Sequence, residues 1–105
     1  FNKMPNMIQA SMYGAVTHYL KAVAAAGTDD TAAVLAKMKA TPINDFMTQN
    51  GSIREDGRVL RDFYIFRVKK PAESKNEWDL YTQVSKIPAA QAFPPADKQA
   101  CPLVK

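Results

Sequence analysis

Residues 59–69 read Val-Leu-Arg-Asp-Phe-Tyr-Ile-Phe-Arg-Val-Lys, and this stretch decides the fold class. β-Branched and aromatic side chains dominate it, which is typical of a β-strand. Successive strand residues point to opposite faces, so the middle of the stretch is apolar on both sides: Phe63 and Ile65 against Tyr64 and Phe66. Such strands lie in sheets that are covered on both faces. The stretch therefore predicts a strand that needs a packing layer on each side.

The sequence on either side of this strand predicts short extended segments and turns. Residues 78–87 alternate apolar and polar side chains and follow a polar loop, so we expect them to pair antiparallel with the first strand. Residues 52–54 form a short extended piece between the turn dipeptides Asn50-Gly51 and Asp56-Gly57. Residues 89–93 predict a short turn or helix.

Two helices are predicted ahead of the strands. Residues 6–26 carry apolar side chains at three- and four-residue steps, which predicts an amphipathic helix that ends at Gly27. Residues 30–39 predict a second helix, capped by Thr28 or Asp29, and the two helices form an αα-hairpin. We expect the first helix to bury Ile8, Met12, Ala15, Val16, Tyr19, Leu20 and Val23, and the second to bury Val34, Leu35 and Met38.

This set of elements is too small to cover the strand over residues 59–69. Two helices and two or three strands leave a strand that is apolar on both faces with little packing against it. We therefore expect part of a larger fold, or a chain that completes its core by association. The chain has 105 residues and opens at Phe1 without a basic segment followed by an apolar one, so we expect a processed or truncated start.

The composition excludes several classes of protein. With 47% apolar and 23% charged residues, the chain is too apolar for disorder, and no run approaches the ~18 consecutive apolar residues of a membrane span. The glycines, placed singly, provide no phosphate-binding loop. One histidine and one cysteine do not build an ordinary structural zinc site. We predict no catalytic residues, no metal and no cofactor, and hence no enzyme.

Three weaker signals each have an ordinary explanation, and for Cys101 a second explanation stays open. The net charge of +4 and a basic run interleaved with aromatic residues fit nucleic-acid binding, but nearby acidic residues favour a core strand with charged ends. His18 flanks the helix stripe and is predicted at the surface or its boundary. Cys101, the single cysteine, is either an exposed thiol or half of a disulfide whose partner lies elsewhere. The basic run consists of Arg54, Arg58, Arg61, Arg67, Lys69 and Lys70.

Several short motifs, in order along the whole chain, resemble one known family. They are Pro5-x-Met7-Ile8-Gln9-Ala10-x-x-Tyr13, His18-Tyr19-Leu20-Lys21-Ala22-Val23, Ala26-Gly27-Thr28-Asp29-Asp30, Met38-Lys39, Pro42-Ile43-Asn44-Asp45-Phe46, Ile53-Arg54-Glu55-Asp56-Gly57-Arg58, Val68-Lys69-Lys70-Pro71-Ala72-Glu73-Ser74, Trp78-Asp79-x-Tyr81, Ile87-Pro88, Ala92-Phe93 and Cys101-Pro102-Leu103. Each motif is weak by itself, but the ordered set is specific. It resembles the C-terminal part of ABC-transporter substrate-binding proteins of the branched-chain amino acid type, the type I periplasmic binding proteins.

The resemblance implies an α/β fold, the C-terminal fragment of a two-lobe receptor with a helical hairpin followed by an antiparallel strand pair. Residues 1–58 would belong to the first lobe and residues 59–105 to the second, with the chain crossing the hinge near residues 59–62. It also implies a periplasmic protein, several times longer than this chain, from which a signal peptide has been removed.

The same resemblance implies a function. Such receptors bind a small organic solute, of the branched-chain amino acid or aromatic acid type, by hinge closure and deliver it to the membrane permease of an ABC transporter. In the family, the segment that leads into the first helix lines part of the ligand cleft, which points to Met7, Ile8, Gln9 and Tyr13. The tail cysteine resembles one that pairs with an earlier cysteine, so Cys101 is a disulfide candidate.

The partners follow from these expectations. The resemblance implies a small-molecule solute and ABC permease subunits, and no nucleic acid. For the piece by itself we expect a homo-oligomer or a swapped dimer that covers apolar surface. The alternative is a small basic module that self-associates or binds nucleic acid.

Overall fold

The computed structural model describes residues 2–96 and contains three α-helices and two pairs of antiparallel strands. The first pair joins β1 (Ser52–Ile53) to β2 (Val59–Leu60), with Ile53 opposite Val59. The second joins β3 (Phe63–Val68) to β4 (Tyr81–Ile87), with Phe63 opposite Ile87 and Val68 opposite Tyr81. The predicted antiparallel pairing of the last two strands is therefore confirmed. In chain order, the elements are α1 (Met7–Ala26), α2 (Thr31–Ala40), β1 (Ser52–Ile53), β2 (Val59–Leu60), β3 (Phe63–Val68), a 3₁₀ turn (Pro71–Glu73), β4 (Tyr81–Ile87) and α3 (Ala89–Ala92).

Local side-chain chemistry sets the helix ends. The Asn6 side chain accepts a hydrogen bond from the Gln9 N–H, and Gln9 Oε1 accepts one from the Asn6 N–H, which makes a capping box at the start of α1. Gly27 ends α1 with a φ of 67°, as the sequence predicts. Asp30 caps α2 by accepting from the Ala33 N–H, so the predicted caps lay too early in the sequence.

The buried face of α1 is different from the one that the sequence predicts. The helix buries Ala10, Gly14, His18 and Ala22. The large side chains expected inside, here named the α1 stripe (Ile8, Met12, Val16, Tyr19 and Leu20), are 43% to 72% exposed. Small residues leave room for a neighbouring side chain on this face: a Cβ placed on Gly14 would lie only 2.8 Å from Asp45 Oδ2. The predicted buried face was wrong because the periodicity of apolar residues does not show which face of a helix packs against the rest of the chain.

The stretch over residues 59–69 forms two strands instead of one. It breaks at residues 61–62, so that β2 pairs with β1 and β3 pairs with β4. The second predicted strand begins at Tyr81 instead of residue 78. All six residues of β3 are exposed. Within residues 2–96, neither face of this strand receives the covering layer that its sequence predicts.

The main packing contacts fall into two groups. One group joins α1 to α2, α2 to β1, and β1 to β2, and we name it the helical body (residues 7–60). The other joins β3 to β4, and we name it the ribbon (residues 63–87). The chain passes between them twice, first at residues 61–62 and then over residues 88–93.

The chain is extended and leaves much surface uncovered. Its radius of gyration is 17.2 Å, against ~13 Å for a compact domain of this length. It exposes 8335 Å², against roughly 5,800 Å² for a monomeric protein of the same mass. No helix within residues 2–96 is both long and apolar enough to cross a bilayer.

Candidate functional site

A cavity of about 720 Å³ lies at the start of α1. We name it the α1-start cavity. The residues that line it are Lys3, Met4, Pro5, Gln9, Ala10, Tyr13 and Phe46. The segment before α1 forms one wall, the first two turns of α1 form a second, and the loop after α2 contributes Phe46.

Two aromatic rings in the lining of this cavity are in contact with each other. The ring centroids of Tyr13 and Phe46 are 5.5 Å apart, with a tilt of 56°. Aromatic rings at this separation stabilise each other by more than the free energy gained from the apolar area that they bury. Both rings are about 60% exposed, so their outer faces are open to a ligand or to another segment of protein.

The loop that carries Phe46 is held by its neighbours. Asp45 Oδ1 accepts hydrogen bonds from the backbone N–H groups of Met47 and Thr48, at 2.8 Å and 2.6 Å. Ile43 and Gly51 exchange two backbone hydrogen bonds that close the base of the loop. Phe46 is therefore fixed beside Tyr13 although it lies in no helix or strand.

The polar groups of the cavity are mostly donors. Gln9 Oε1 is already used in the capping box, whereas Gln9 Nε2 has no acceptor among residues 2–96. Lys3 brings an ammonium group that makes no ion pair with the described residues. Apolar walls with a small number of unpaired donors suit a small organic molecule that carries a carboxylate or carbonyl group.

A second cavity, of about 400 Å³, lies between the helical body and the base of the ribbon. Its walls include His18, Arg61, Phe63 and Phe93. His18 is only 7% exposed, so the surface position that the sequence predicts is wrong. Its Nε2 donates to the Met38 carbonyl oxygen at 3.0 Å, which links α1 to α2.

The basic run makes local ion pairs instead of a continuous cationic surface. Arg54 pairs with Asp56, Arg67 with Glu73 and Lys69 with Asp79. The hydrogen bonds from Arg54 are the main reason that the pKa of Asp56 falls to about 2. Because three of these cations already have carboxylate partners, the arrangement disfavours the nucleic-acid alternative. Within residues 2–96, no cluster of three or more histidine, cysteine or acidic side chains offers a metal site.

Comparison with known proteins decides the family. The family model described as periplasmic binding protein matches residues 1–76. The chain belongs to the periplasmic binding protein family. No curated protein sequence matches it significantly. This match and the two crystal structures described next confirm the predicted resemblance and the α/β fold class.

Two crystal structures are similar to this periplasmic binding protein chain. One is a periplasmic binding protein from Burkholderia mallei, with a TM-score of 0.89 and 48% identity over 98% of this chain. The other, from Burkholderia xenovorans, is described as a branched chain amino acid ABC transporter periplasmic ligand-binding protein, with a TM-score of 0.92 and 41% identity over the whole chain. This chain spans 27% and 28% of their lengths.

The structure of this family member brings some of the predicted site residues together. Gln9 and Tyr13 both line the α1-start cavity. Met7 and Ile8 are 77% and 72% exposed and do not line it. Phe46 was not identified from the sequence, although an aromatic side chain directly after a turn-forming Asn-Asp pair is a usable signal. Cys101 lies outside the described residues.

Proposed function

We propose that the chain is part of a periplasmic receptor that binds a small organic solute for an ABC uptake transporter. The observation that carries the proposal is the α1-start cavity, because apolar and aromatic walls meet free donor groups there. A branched-chain amino acid or an aromatic acid has the matching chemistry: an apolar body and a carboxylate. The receptor would release the solute to the permease subunits of the transporter, in the periplasm.

The proposed mechanism is closure of two lobes about a hinge, without covalent chemistry. A solute that contacts both lobes binds the closed state more tightly and so raises its population. The division into a helical body and a ribbon, joined by two crossings, supports the assignment of residues 1–58 and 59–105 to different lobes. Because β2 pairs with β1, the proposed first lobe would extend to residue 60 and the proposed boundary would fall at residues 61–62.

The proposed solute-facing residues lie at the start of α1. Gln9 and Tyr13 contribute the amide and one ring, and Phe46 is added to them from the structure. Met7 and Ile8 stay in the proposal as exposed apolar residues at the same end of the helix, available to a wall supplied from outside this chain.

A chimera tests the proposed function. The chain replaces the matching segment of the Burkholderia xenovorans protein, and calorimetry follows titration with L-leucine, L-valine and benzoate. We expect micromolar binding of at least one of them to the chimera, and none to the chain alone, because the α1-start cavity forms only one side of the proposed cleft between two lobes. Micromolar binding by the chain alone would show that this side is sufficient for binding. A folded chimera that binds no solute of the panel would contradict the proposed solute class.

We also propose that the chain by itself forms a homo-oligomer or a swapped dimer. The surface in excess of a compact monomer is about 2,500 Å², which is enough for a stable interface, and the α1 stripe provides uncharged apolar side chains for it. Sedimentation velocity at micromolar concentration should give a mass above the monomer value of 11.6 kDa.

Matched variants locate the proposed interface. Met12→Lys combined with Leu20→Lys places two charges on the α1 stripe and should shift the chain toward monomer. Ala36→Lys adds a charge at an exposed position of α2 and should leave the association unchanged. A wild-type chain that sediments as a monomer at all concentrations would exclude self-association.

A further inference from the structure

Asp62 lies in the first crossing between the helical body and the ribbon. It occupies the break between β2 and β3. Its carboxylate has two partners: Oδ2 is 2.6 Å from Lys86 Nζ, and Oδ1 accepts a hydrogen bond of 2.9 Å from the Ala89 N–H. The side chain of Asp62 therefore contacts two residues, Lys86 and Ala89, that lie more than 20 positions later in the sequence.

The partners of Asp62 lie where the chain leaves the ribbon for the second crossing. Lys86 is the next-to-last residue of β4, at the end of the ribbon, and Ala89 is the first residue of α3, in the second crossing. Pro88, between them, has no N–H group, so Ala89 provides the first amide donor after the ribbon. The Asp62 carboxylate thus connects the segment that leads into the ribbon with the segment that leads out of it.

The charge on Asp62 is favoured by these same contacts. The hydrogen bond from Lys86 and then the one from Ala89 hold the pKa of Asp62 below its ordinary value. The carboxylate is therefore ionised at neutral pH and attracts both donors.

The second crossing is also fastened to the helical body further along the chain. Arg54 Nη1 donates to the Pro94 carbonyl oxygen at 2.8 Å. The Phe93 ring lies 5.5 Å from the Phe63 ring and 5.9 Å from the Arg58 guanidinium carbon. Asp62 thus holds one end of the second crossing, and contacts from residues 54–63 hold the other.

We propose that Asp62 is a positioning residue that locks the two crossings side by side, so that the ribbon turns on the helical body as one unit. Because the Asp62 carboxylate connects the two crossings, it restricts rotation of one crossing relative to the other. The ribbon can still bend relative to the helical body about the line that runs through both crossings. The significance of this restriction for solute uptake rests on the proposed function, because bending about that line is the motion that would close the lobes. The restriction itself is a property of this chain and is measurable without any solute.

The test uses the whole chain and compares two carboxylates with matched contacts. Glu73 also accepts from one basic side chain, Arg67, and from one backbone N–H, that of Lys70, but both partners are near the far end of the ribbon. Asp62→Ala and Glu73→Ala therefore each remove one ion pair and one backbone hydrogen bond, and only Asp62→Ala affects the crossings. Lys86→Met removes the ion pair and leaves the Ala89 hydrogen bond in place.

Two measurements report on the crossings. The first is hydrogen exchange of the Ala89 amide, followed by NMR. The second is the spread of distances between spin labels on Lys21→Cys and Glu77→Cys in a Cys101→Ser background, diluted into unlabelled chain. With Asp62→Ala we expect exchange at Ala89 at least about tenfold faster and a broader distance distribution. We expect Lys86→Met to broaden the distribution with a smaller effect on exchange.

The controls make the result decisive. Glu73→Ala should leave both measurements at their wild-type values. The proposal is overturned if Asp62→Ala leaves the distance distribution as narrow as in the wild type, or if Glu73→Ala broadens it equally. If Asp62→Ala does not fold, an unchanged distribution in Lys86→Met overturns the proposal and a broadened one supports it. These outcomes do not depend on whether the chimera binds a solute.

Discussion

Replacing His18 with leucine is expected to lower the free energy of unfolding by about 1–3 kcal/mol, because a partly buried carbonyl oxygen would lose its hydrogen-bond donor. The carbonyl is that of Met38, in the last turn of α2, and His18 Nε2 lies 3.0 Å from its oxygen. Urea unfolding followed by circular dichroism measures the change. All variants are compared at one protein concentration, because self-association would add to the apparent stability.

The size of this effect follows from Pro42. In an α-helix the carbonyl of residue 38 would accept from the N–H of residue 42, and proline has none. α2 ends at Ala40, and the Met38 carbonyl receives its donor from α1 instead. The histidine therefore satisfies a helix end that the sequence of α2 leaves open.

Two further variants separate the hydrogen bond from the volume of the side chain. His18→Gln keeps a donor and should recover part of the loss. Lys21→Met changes an exposed residue of α1 outside the α1 stripe and should alter stability by less than ~0.5 kcal/mol. If His18→Leu cost no more than Lys21→Met, the proposed role of the Met38 contact would be wrong.

The local features of the fold were predictable from the sequence. Gly27 marks the end of α1, and the alternating pattern after the polar loop identifies the partner of β3. These features depend on residues that are neighbours in sequence. The break at residues 61–62 was not predictable in this way, because it depends on β2 pairing with β1 instead of continuing into β3.

Long-range contacts explain what the sequence did not predict. His18 and Met38 are 20 residues apart, and nothing in the helical periodicity shows that they meet. Within the predicted turn dipeptide, Asn50 takes the left-handed conformation, with a φ of 53°, and Gly51 does not. Gly51 is required for close packing instead, because a Cβ there would lie 2.5 Å from Thr48 Cγ2. In the candidate site, Gln9 and Tyr13 came from the family resemblance, and Phe46 came from the structure.

In the chimera, replacing Tyr13 with alanine is expected to weaken solute binding at least about tenfold, which corresponds to ~1.4 kcal/mol. Tyr13 is in contact with Phe46 and forms a wall of the α1-start cavity. Aromatic residues that fill such sites often contribute more than ~2 kcal/mol to binding when truncated. Calorimetry with the solute that binds the unaltered chimera most tightly gives the change in Kd.

The controls distinguish ring contact from a general loss of structure. Tyr13→Phe keeps the ring and removes a hydroxyl that has no partner among residues 2–96, so it should bind nearly as well as the unaltered chimera. Phe46→Ala should weaken binding in the same direction as Tyr13→Ala. Because the two rings support each other, the double variant should lose less than the sum of the single losses, with a coupling of about 0.5–1.5 kcal/mol. If Tyr13→Ala left the Kd unchanged, the solute would bind elsewhere. A solute in contact with the α1 wall of the cavity would lose affinity when the ring of Tyr13 is removed.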